Sequence, residues 1–423
     1  MFRCLFMFLL FILFSHLLGD DVGAFVVMNA KNGKVLAQKA AHQKMYPAST
    51  TKIATVSYVL GTPGLDLDQK IVVPAEAVRA VSDFEKAQDN FSRYPAYVLE
   101  KPSSVVAGLK KGEVLTVRDL LFANMLISGS DASNTLAYYW GDGSIETCME
   151  RINRFVKSLG CENTNFKNPH GMHHPDHLSS AYDLALIARY AMQNPTFRSI
   201  VRSTSYTRPK TNKQPKRTWS QTNKLVSSGN PYFYELATGI KTGYHSRAQR
   251  CIVASAENSE RSLIAVALQC PERRDQFAVP KRLLDQFLSE HKKHRTVVEA
   301  GPIQLQRELE GHASALPLKA TDRCEVSFFP SEEPHIRSHV EWRELSFPVQ
   351  KGQQVGELSI FADDEEVGKV SLISEEYRKA TWWQRVLEFQ RFLSQHVGLV
   401  LSLTAVIVFL GVFWYMRRSR SYF

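Results

Sequence analysis

The sequence predicts an α/β (α+β) body over residues 20–293, a small all-β domain over residues 294–376 and a C-terminal transmembrane helix over residues 397–416. Three observations carry this prediction. Helix-patterned runs alternate with β-rich runs as far as Glu290. From Val297 to Ile373 the chain holds only short β-like runs broken by Gly and Pro. Val397 to Met416 is 20 residues without a charge, and 20 residues at a helical rise of about 1.5 Å match a hydrocarbon core of ~30 Å.

Composition narrows the classes. With 423 residues, 44% of them apolar and 22% charged, the chain is built for packed cores, which excludes wholesale disorder, a collagen-like repeat and a scaffold held by disulfides alone. Lys and Arg exceed Asp and Glu by 10, which favours anionic neighbours. The basic residues are spread along the chain, without a zinc-finger or Walker pattern, so nucleic acid is not a predicted partner. Beyond Cys4 there are five cysteines, an odd number, so at least one has no partner within the chain, and none lies in C-x-x-C. Cys251 and Cys270 fall on adjacent predicted strands, where a disulfide is open but two buried thiols are the favoured reading.

The elements follow in order. Arg3 and the apolar run Cys4 to Phe14 have the proportions of a signal peptide, assigned to residues 1–19. Val22 to Met28 and Val35 to Gln38 are β-type and joined by Asn29 to Gly33, with Asn32-Gly33 as the hairpin signal. Helical patterning covers Ile53 to Leu60, Val117 through Ser128 to Tyr139, and Ala181 to Met192. Arg208 to Arg217 is basic and contains Pro209 and Pro215, as in an exposed loop or short edge hairpin. Gln249 to Ala256 and Leu263 to Leu268 are β-rich, and a helix from Pro280 to Glu290 closes the first domain. In the second, Glu325 to Phe329, Leu345 to Val349, Gln354 to Phe361 and Glu366 to Ile373 read as strands. Residues 380–396 form an amphipathic segment suited to a bilayer interface, with Trp382 and Trp383 at its start. Arg417, Arg418 and Arg420 give residues 417–423 the character of a cytoplasmic tail, so the body lies on the extracytoplasmic, periplasmic side of the inner membrane.

Chemistry concentrates in three short motifs. In Tyr46-Pro47-Ala48-Ser49-Thr50-Thr51-Lys52, Pro47 and the hydroxyl cluster mark a helix start, and Ser49 and Lys52 at i and i+3 share a face. A serine needs a base to become a nucleophile, and a lysine is a base only when desolvation or nearby positive charge lowers its pKa. S-x-x-K alone occurs by chance on many surface helices. Ser128-Gly129-Ser130-Asp131 follows the apolar stretch Leu120 to Ile127, and Lys241-Thr242-Gly243 enters the strand Gln249 to Ala256 through Tyr244. The third motif sets a cation and a hydroxyl beside a glycine that leaves room for an extended peptide.

S-x-x-K, a serine motif and K-T-G in this order resemble the penicillin-binding proteins and class A β-lactamases. From about Val22 to Ile373 the chain is most similar to low-molecular-mass penicillin-binding proteins, the serine-type D-alanyl-D-alanine carboxypeptidases. Phe166-Lys167-Asn168-Pro169-His170-Gly171, His177-Leu178-Ser179-Ser180-Ala181, Thr222-Asn223-Lys224-Leu225 and Pro348-Val349-Gln350-Lys351-Gly352 add to the similarity. The resemblance implies a penicillin-recognising serine transferase fold, removal of the terminal D-alanine from peptidoglycan pentapeptide stems or their lipid-linked precursor, inhibition by β-lactams, and no cofactor or metal. It makes Ser49 the acylated nucleophile, Lys52 its base and Ser128 the proton relay. Lys241, Thr242 and Gly243 bind substrate with Ser130, and the N–H groups of Ser49 and Tyr244 form the oxyanion hole. Ser130 stands where the family usually has Asn.

Rival readings have their own signals. His170, His173, His174 and His177 with Asp176 offer metal-ligand spacing that Pro175 interrupts. A β-lactamase needs a glutamate for deacylation, and Glu162-Asn163-Thr164-Asn165 has neither the leucine nor the spacing of that motif. A catalytically weak wall-binding scaffold is favoured only by Ser130. Tyr138, Tyr139 and Trp140 read as helix packing before a sugar platform, and the basic run Arg208 to Arg217 as a solvated face before a phosphate contact.

Overall fold

A computed structural model describes residues 22–88 and 93–419. The predicted signal peptide lies outside them, as do Arg420 and the side chains of Arg417 and Arg418. The chain divides into two compact units, the boundary falling between Glu290 and His291.

In the first unit, β1 (Ala24–Asn29) and β2 (Val35–Lys39) form the hairpin expected from Asn32-Gly33. Asn29 Oδ1 accepts from the Lys31 and Asn32 N–H groups, and Gly33 takes a left-handed φ of 81°. Much later strands complete the sheet: β5 (Ala237–His245), β6 (Gln249–Glu257) and β7 (Ser262–Cys270), after the separate small hairpin β3 (Ser205–Arg208) and β4 (Arg217–Ser220). The antiparallel order is β2-β1-β7-β6-β5, which leaves β5 at one edge.

Both faces of this sheet are covered, and side-chain alternation assigns each residue to a layer. Val26 and Met28 of β1, Val253 of β6 and Val266 of β7 enter a core built with the helices. Those helices include α1 (Lys52–Leu60), α2 (Val117–Leu126), α3 (Ser130–Trp140), α4 (Ile145–Ser158), α5 (Ala181–Ala191) and α6 (Pro195–Arg202). Phe25, Val27, Ile252 and Ala265 point the other way, onto Phe277, Leu283 and Leu284 of α7 (Arg273–Leu288).

Two helix predictions need correction. The expected helix from Val117 to Tyr139 is broken into α2 and α3, because Ser128 takes φ 64° and ends the α-helical path. The last helix starts at Arg273, not Pro280: Glu272 and Asp275 form a reciprocal capping box, and Pro280 sits inside the helix. Cys148, Cys161, Cys251, Cys270 and Cys324 are buried free thiols.

The second unit holds a five-stranded antiparallel sheet and a two-stranded ladder. Gly301–Arg307, Leu316–Ala320, Glu365–Ser374, Gln354–Ala362 and Ile336–Trp342 lie side by side in that order, and Lys293–Val298 pairs with Cys324–Phe328. Leu318, Val355, Ile360 and Leu372 are central to its core. Leu345 to Val349 is not a strand; Val349 makes only an isolated bridge to Arg378. Trp382–Gln395 is a helix capped by Thr381, and Val397–Ser419 is a further 23-residue helix. Among the described residues, no helix is long and apolar enough to cross a membrane, and the side chains of Val397, Leu399, Val400, Leu401, Leu403 and Thr404 in the expected transmembrane segment lie outside them.

Candidate active site

A single 3-10 turn, Ala48–Thr51, delivers Ser49 and runs directly into α1, so Lys52 is the first residue of the helix. The turn is locked from within: Thr50 Oγ1 donates to Pro47 O (2.7 Å) and Thr51 Oγ1 to Ala48 O (2.9 Å). Edge strand β5 presses against it. A Cβ on Gly243 would lie 2.9 Å from Ser49 N and 3.0 Å from Ala48 Cβ, so only glycine lets Lys241-Thr242-Gly243 pass the Ser49 backbone this closely.

Lys52 is fully buried, with Nζ 3.1 Å from Ser49 Oγ and 3.4 Å from Ser130 Oγ, and it donates to His170 O at 2.6 Å. Burial drives its pKa well below the ordinary lysine value; the charge of Lys241 adds to this and Asp131 opposes it. Lys241 is itself buried, which lowers its pKa to about 7, and its Nζ donates to Thr242 O at 3.1 Å. Two amines are thus held where their charged forms are costly.

Asp131 organises the wall that carries Ser128 and Ser130. Its carboxylate accepts from the N–H groups of Ala107, Gly108, Leu109 and Ala132, while burial pushes its pKa up. Ser130 N donates to Val105 O at 2.8 Å, which ties the same loop to the first residue of α3. Ser128, two residues before Ser130, has a strained left-handed backbone, and its buried hydroxyl has no hydrogen-bond partner among the described residues. Thr242 Oγ1 lies 3.4 Å from Thr222 Oγ1, which in turn donates to Leu126 O at 2.9 Å.

The structure therefore brings Ser49 and Ser130 each to the Lys52 amine, with Gly243 against the Ser49 turn. Tyr244 follows on β5, where its side chain points to solvent and stacks under Arg250, 4.6 Å from ring centroid to guanidinium. Sequence reasoning missed the floor of the site. His170 supplies a carbonyl to Lys52, and Gly171, at φ 88°, packs so closely that an added Cβ would lie 1.9 Å from Ala48 O. Asn168 Oδ1 fixes that turn by accepting from Gly171 N at 2.7 Å. The Asn-Pro-His-Gly run was the available signal.

The histidines are engaged in packing and local bonds. Lys167 N donates to His177 Nδ1, so Nε2 carries the proton and donates to Thr51 Oγ1 at 2.8 Å. His170 likewise accepts from Met172 N at Nδ1 and faces Tyr97 O through Nε2. His173 packs edge-on against Tyr46. Among the described residues, no group of His, Cys, Asp and Glu is arranged to hold a metal ion.

A half-buried serine in contact with a fully buried lysine, beside a K-T-G edge strand, defines a serine acyltransferase of the penicillin-recognising fold. Residues 20–272 match the D-alanyl-D-alanine carboxypeptidase family model and residues 293–380 that of the penicillin-binding protein 5 C-terminal domain, and the chain belongs to this carboxypeptidase family. It is 27% identical to D-alanyl-D-alanine carboxypeptidase DacF of Bacillus subtilis over 86% of this chain and 87% of that protein. It is 34% identical to the D-alanyl-D-alanine carboxypeptidase of Streptomyces sp. strain K15 over 57% of this chain and 78% of that one. A crystal structure of the Streptomyces K15 DD-transpeptidase superposes with a TM-score of 0.53 at 29% identity, covering 63% of this chain and 96% of that one. The carboxypeptidase DacD of Francisella tularensis shares the fold with a TM-score of 0.58 at 20% identity, over 85% and 94% of the two chains.

Proposed function

We propose that this serine-type D-alanyl-D-alanine carboxypeptidase cleaves the terminal D-alanine from pentapeptide stems through an acyl-enzyme on Ser49. The observation that carries the reading is the Lys52 amine, buried, 3.1 Å from Ser49 Oγ and held below its ordinary pKa. A neutral amine at that distance accepts the hydroxyl proton as Oγ attacks the carbonyl of the penultimate residue. The substrate pairs its backbone with the edge of β5, and its terminal carboxylate meets Lys241 and Thr242. The backbone N–H groups of Ser49 and Tyr244 stabilise the oxyanion. Ser128, whose hydroxyl is free to turn, passes a proton to the departing D-alanine amine. Water then attacks the ester, and Ser49 is restored.

A synthetic pentapeptide stem incubated with the full chain tests this by mass spectrometry. Loss of one alanine supports hydrolysis; no change contradicts it. A product joined to an added amine would identify a transpeptidase, a reading favoured by the activity named for the Streptomyces K15 structure.

We further infer attachment to the inner membrane through residues 397–416, with the catalytic unit outside. The support is the uncharged 20-residue run, the arginines after it, and the exposed Trp382, Trp383, Phe389 and Phe392 on the preceding helix. A truncation ending at Arg378 should leave the membrane fraction; complete retention in the pellet would contradict this anchor.

A further inference from the structure

The basic hairpin β3–β4 is a built feature. Residues 101–112 and 205–234 contain nine Lys and Arg and not one Asp or Glu. The two segments are fastened together. Glu113, fully buried, lies 3.8 Å from the Arg208 guanidinium, and it accepts from Thr211 Oγ1 (2.7 Å), Gln214 Nε2 (2.7 Å) and Lys110 N (3.0 Å). Arg208 donates onward to Pro209 O and Pro215 O. Asn212 bonds Gly112 O and Val114 N, Gln214 bonds Gly108 O, and Arg217 donates to Ala107 O at 3.0 Å. The Glu113 carboxylate is thus consumed inside the scaffold. Lys110, Lys111, Lys210, Lys213, Lys216 and Arg217 remain exposed.

This cluster borders the catalytic cleft at two points. The loop bearing Lys110 and Lys111 also carries Val105, bonded to Ser130, and the three N–H groups held by Asp131. Strand β4 and the two residues after it lead from Arg217 to Thr222, the neighbour of Thr242, across five residues or at most about 17 Å. The positive surface therefore adjoins the end of the cleft where Lys241 and Thr242 receive a carboxylate.

We propose that these six cations form an electrostatic capture surface for anionic, carboxylate-terminated peptides, drawing the reacting end of the substrate toward Thr242. The proposal rests on the function proposed above. A cluster of one sign on a rigid rim raises the local concentration of an oppositely charged ligand, and salt weakens the effect because the Debye length is only about 8 Å at physiological ionic strength. Hence the surface acts on capture and not on the chemical step.

The experiment compares the full-length chain with its K210Q/K213Q/K216Q variant. Acylation of Ser49 by an anionic penicillin is followed by intact mass from low to high salt, and separately kcat and KM are measured on a stem peptide. In the unaltered chain, the second-order acylation constant should fall about tenfold between low and high salt; in the variant, which keeps three of the six cations, it should fall clearly less, with KM raised and kcat preserved. Equal salt dependence in the two proteins, or a loss confined to kcat, would overturn the proposal. Absence of any Ser49 adduct in the unaltered chain would instead overturn the active-site reading, and the capture surface with it.

Discussion

Lys52 Nζ and the backbone carbonyl of His170 lie 2.6 Å apart, and both residues are fully buried. This contact fixes the amine beneath Ser49 without supplying a negative charge. A carboxylate there would hold the lysine protonated; a carbonyl orients it and leaves its pKa low. The arrangement leaves the amine able to act as the base of the proposed mechanism.

Replacing Lys52 with Met should therefore separate chemistry from folding. The rate of penicillin acylation should drop by about 10²- to 10⁴-fold, the usual contribution of general base catalysis. The melting temperature should stay within a few degrees of the unaltered chain, since the change removes a buried amine along with its hydrogen bonds. Stopped-flow acylation and calorimetry check both halves; a Met variant acylated at the normal rate would move the base elsewhere.

Two buried amines also set the pH profile. In the proposed mechanism neutral Lys52 is the active form, so the acid limb should rise as pH passes its lowered pKa. In the same mechanism charged Lys241 holds the substrate carboxylate, so binding should weaken as pH climbs through about 7. A plot of kcat/KM should bend downward on the alkaline side, and Lys241→Arg, which stays charged, should remove that bend. A profile still rising at pH 9 in the unaltered chain would contradict the assignment.

The same shift has a stability signature. Lys241 binds a proton in the unfolded chain up to its ordinary value near pH ~10.4, but in the folded chain only up to about 7. The penalty of its buried charge is full at pH 6 and fades toward pH 10. Lys241→Met should accordingly raise the melting temperature at pH 6, and the difference from the unaltered chain should shrink at pH 10. A constant difference would show that Lys241 does not titrate in that window.

Ser130 reaches the base only at 3.4 Å, the outer limit of a hydrogen bond. An asparagine there extends further and brings both a donor and an acceptor. Ser130→Asn should speed carboxypeptidase turnover several-fold, because one added hydrogen bond contributes roughly 0.5–1.5 kcal/mol. Steady-state kinetics on a stem peptide decide it. A slower variant would mean that the site is built around the serine.

Gly243 is tested by adding one methyl group. In Gly243→Ala the new Cβ meets the Ser49 N–H, Ala48 Cβ and Pro47 O, none of which belongs to a flexible side-chain end. The turn must shift, and acylation should fall by about 10²-fold or more, as misplacement near 1 Å can cause. Normal acylation kinetics in this variant would show that the strand and the turn move independently.

Much of this site was legible in the sequence because its parts are local. Ser49 and Lys52 share a face by helical spacing alone, and the β-rich runs around Cys251 and Val266 announced the sheet. What could not be read depended on backbone and distant chain. Ser128 continues an apolar helical pattern, so nothing local reveals the left-handed residue that ends α2 and frees its hydroxyl. The His170 carbonyl comes from 118 residues beyond Lys52, and a main-chain acceptor has no side-chain signature. Pro280 misplaced the start of the last helix because a proline is expected at a first turn, whereas the Glu272–Asp275 capping box sets it seven residues earlier.

The most direct test of the account is the intact mass of the chain after exposure to penicillin, followed by peptide mapping. The account predicts a single stoichiometric adduct whose mass equals that of the intact penicillin, carried on Ser49 and absent in Ser49→Ala. An adduct on another residue, or one that persists at full yield in Ser49→Ala, would contradict it.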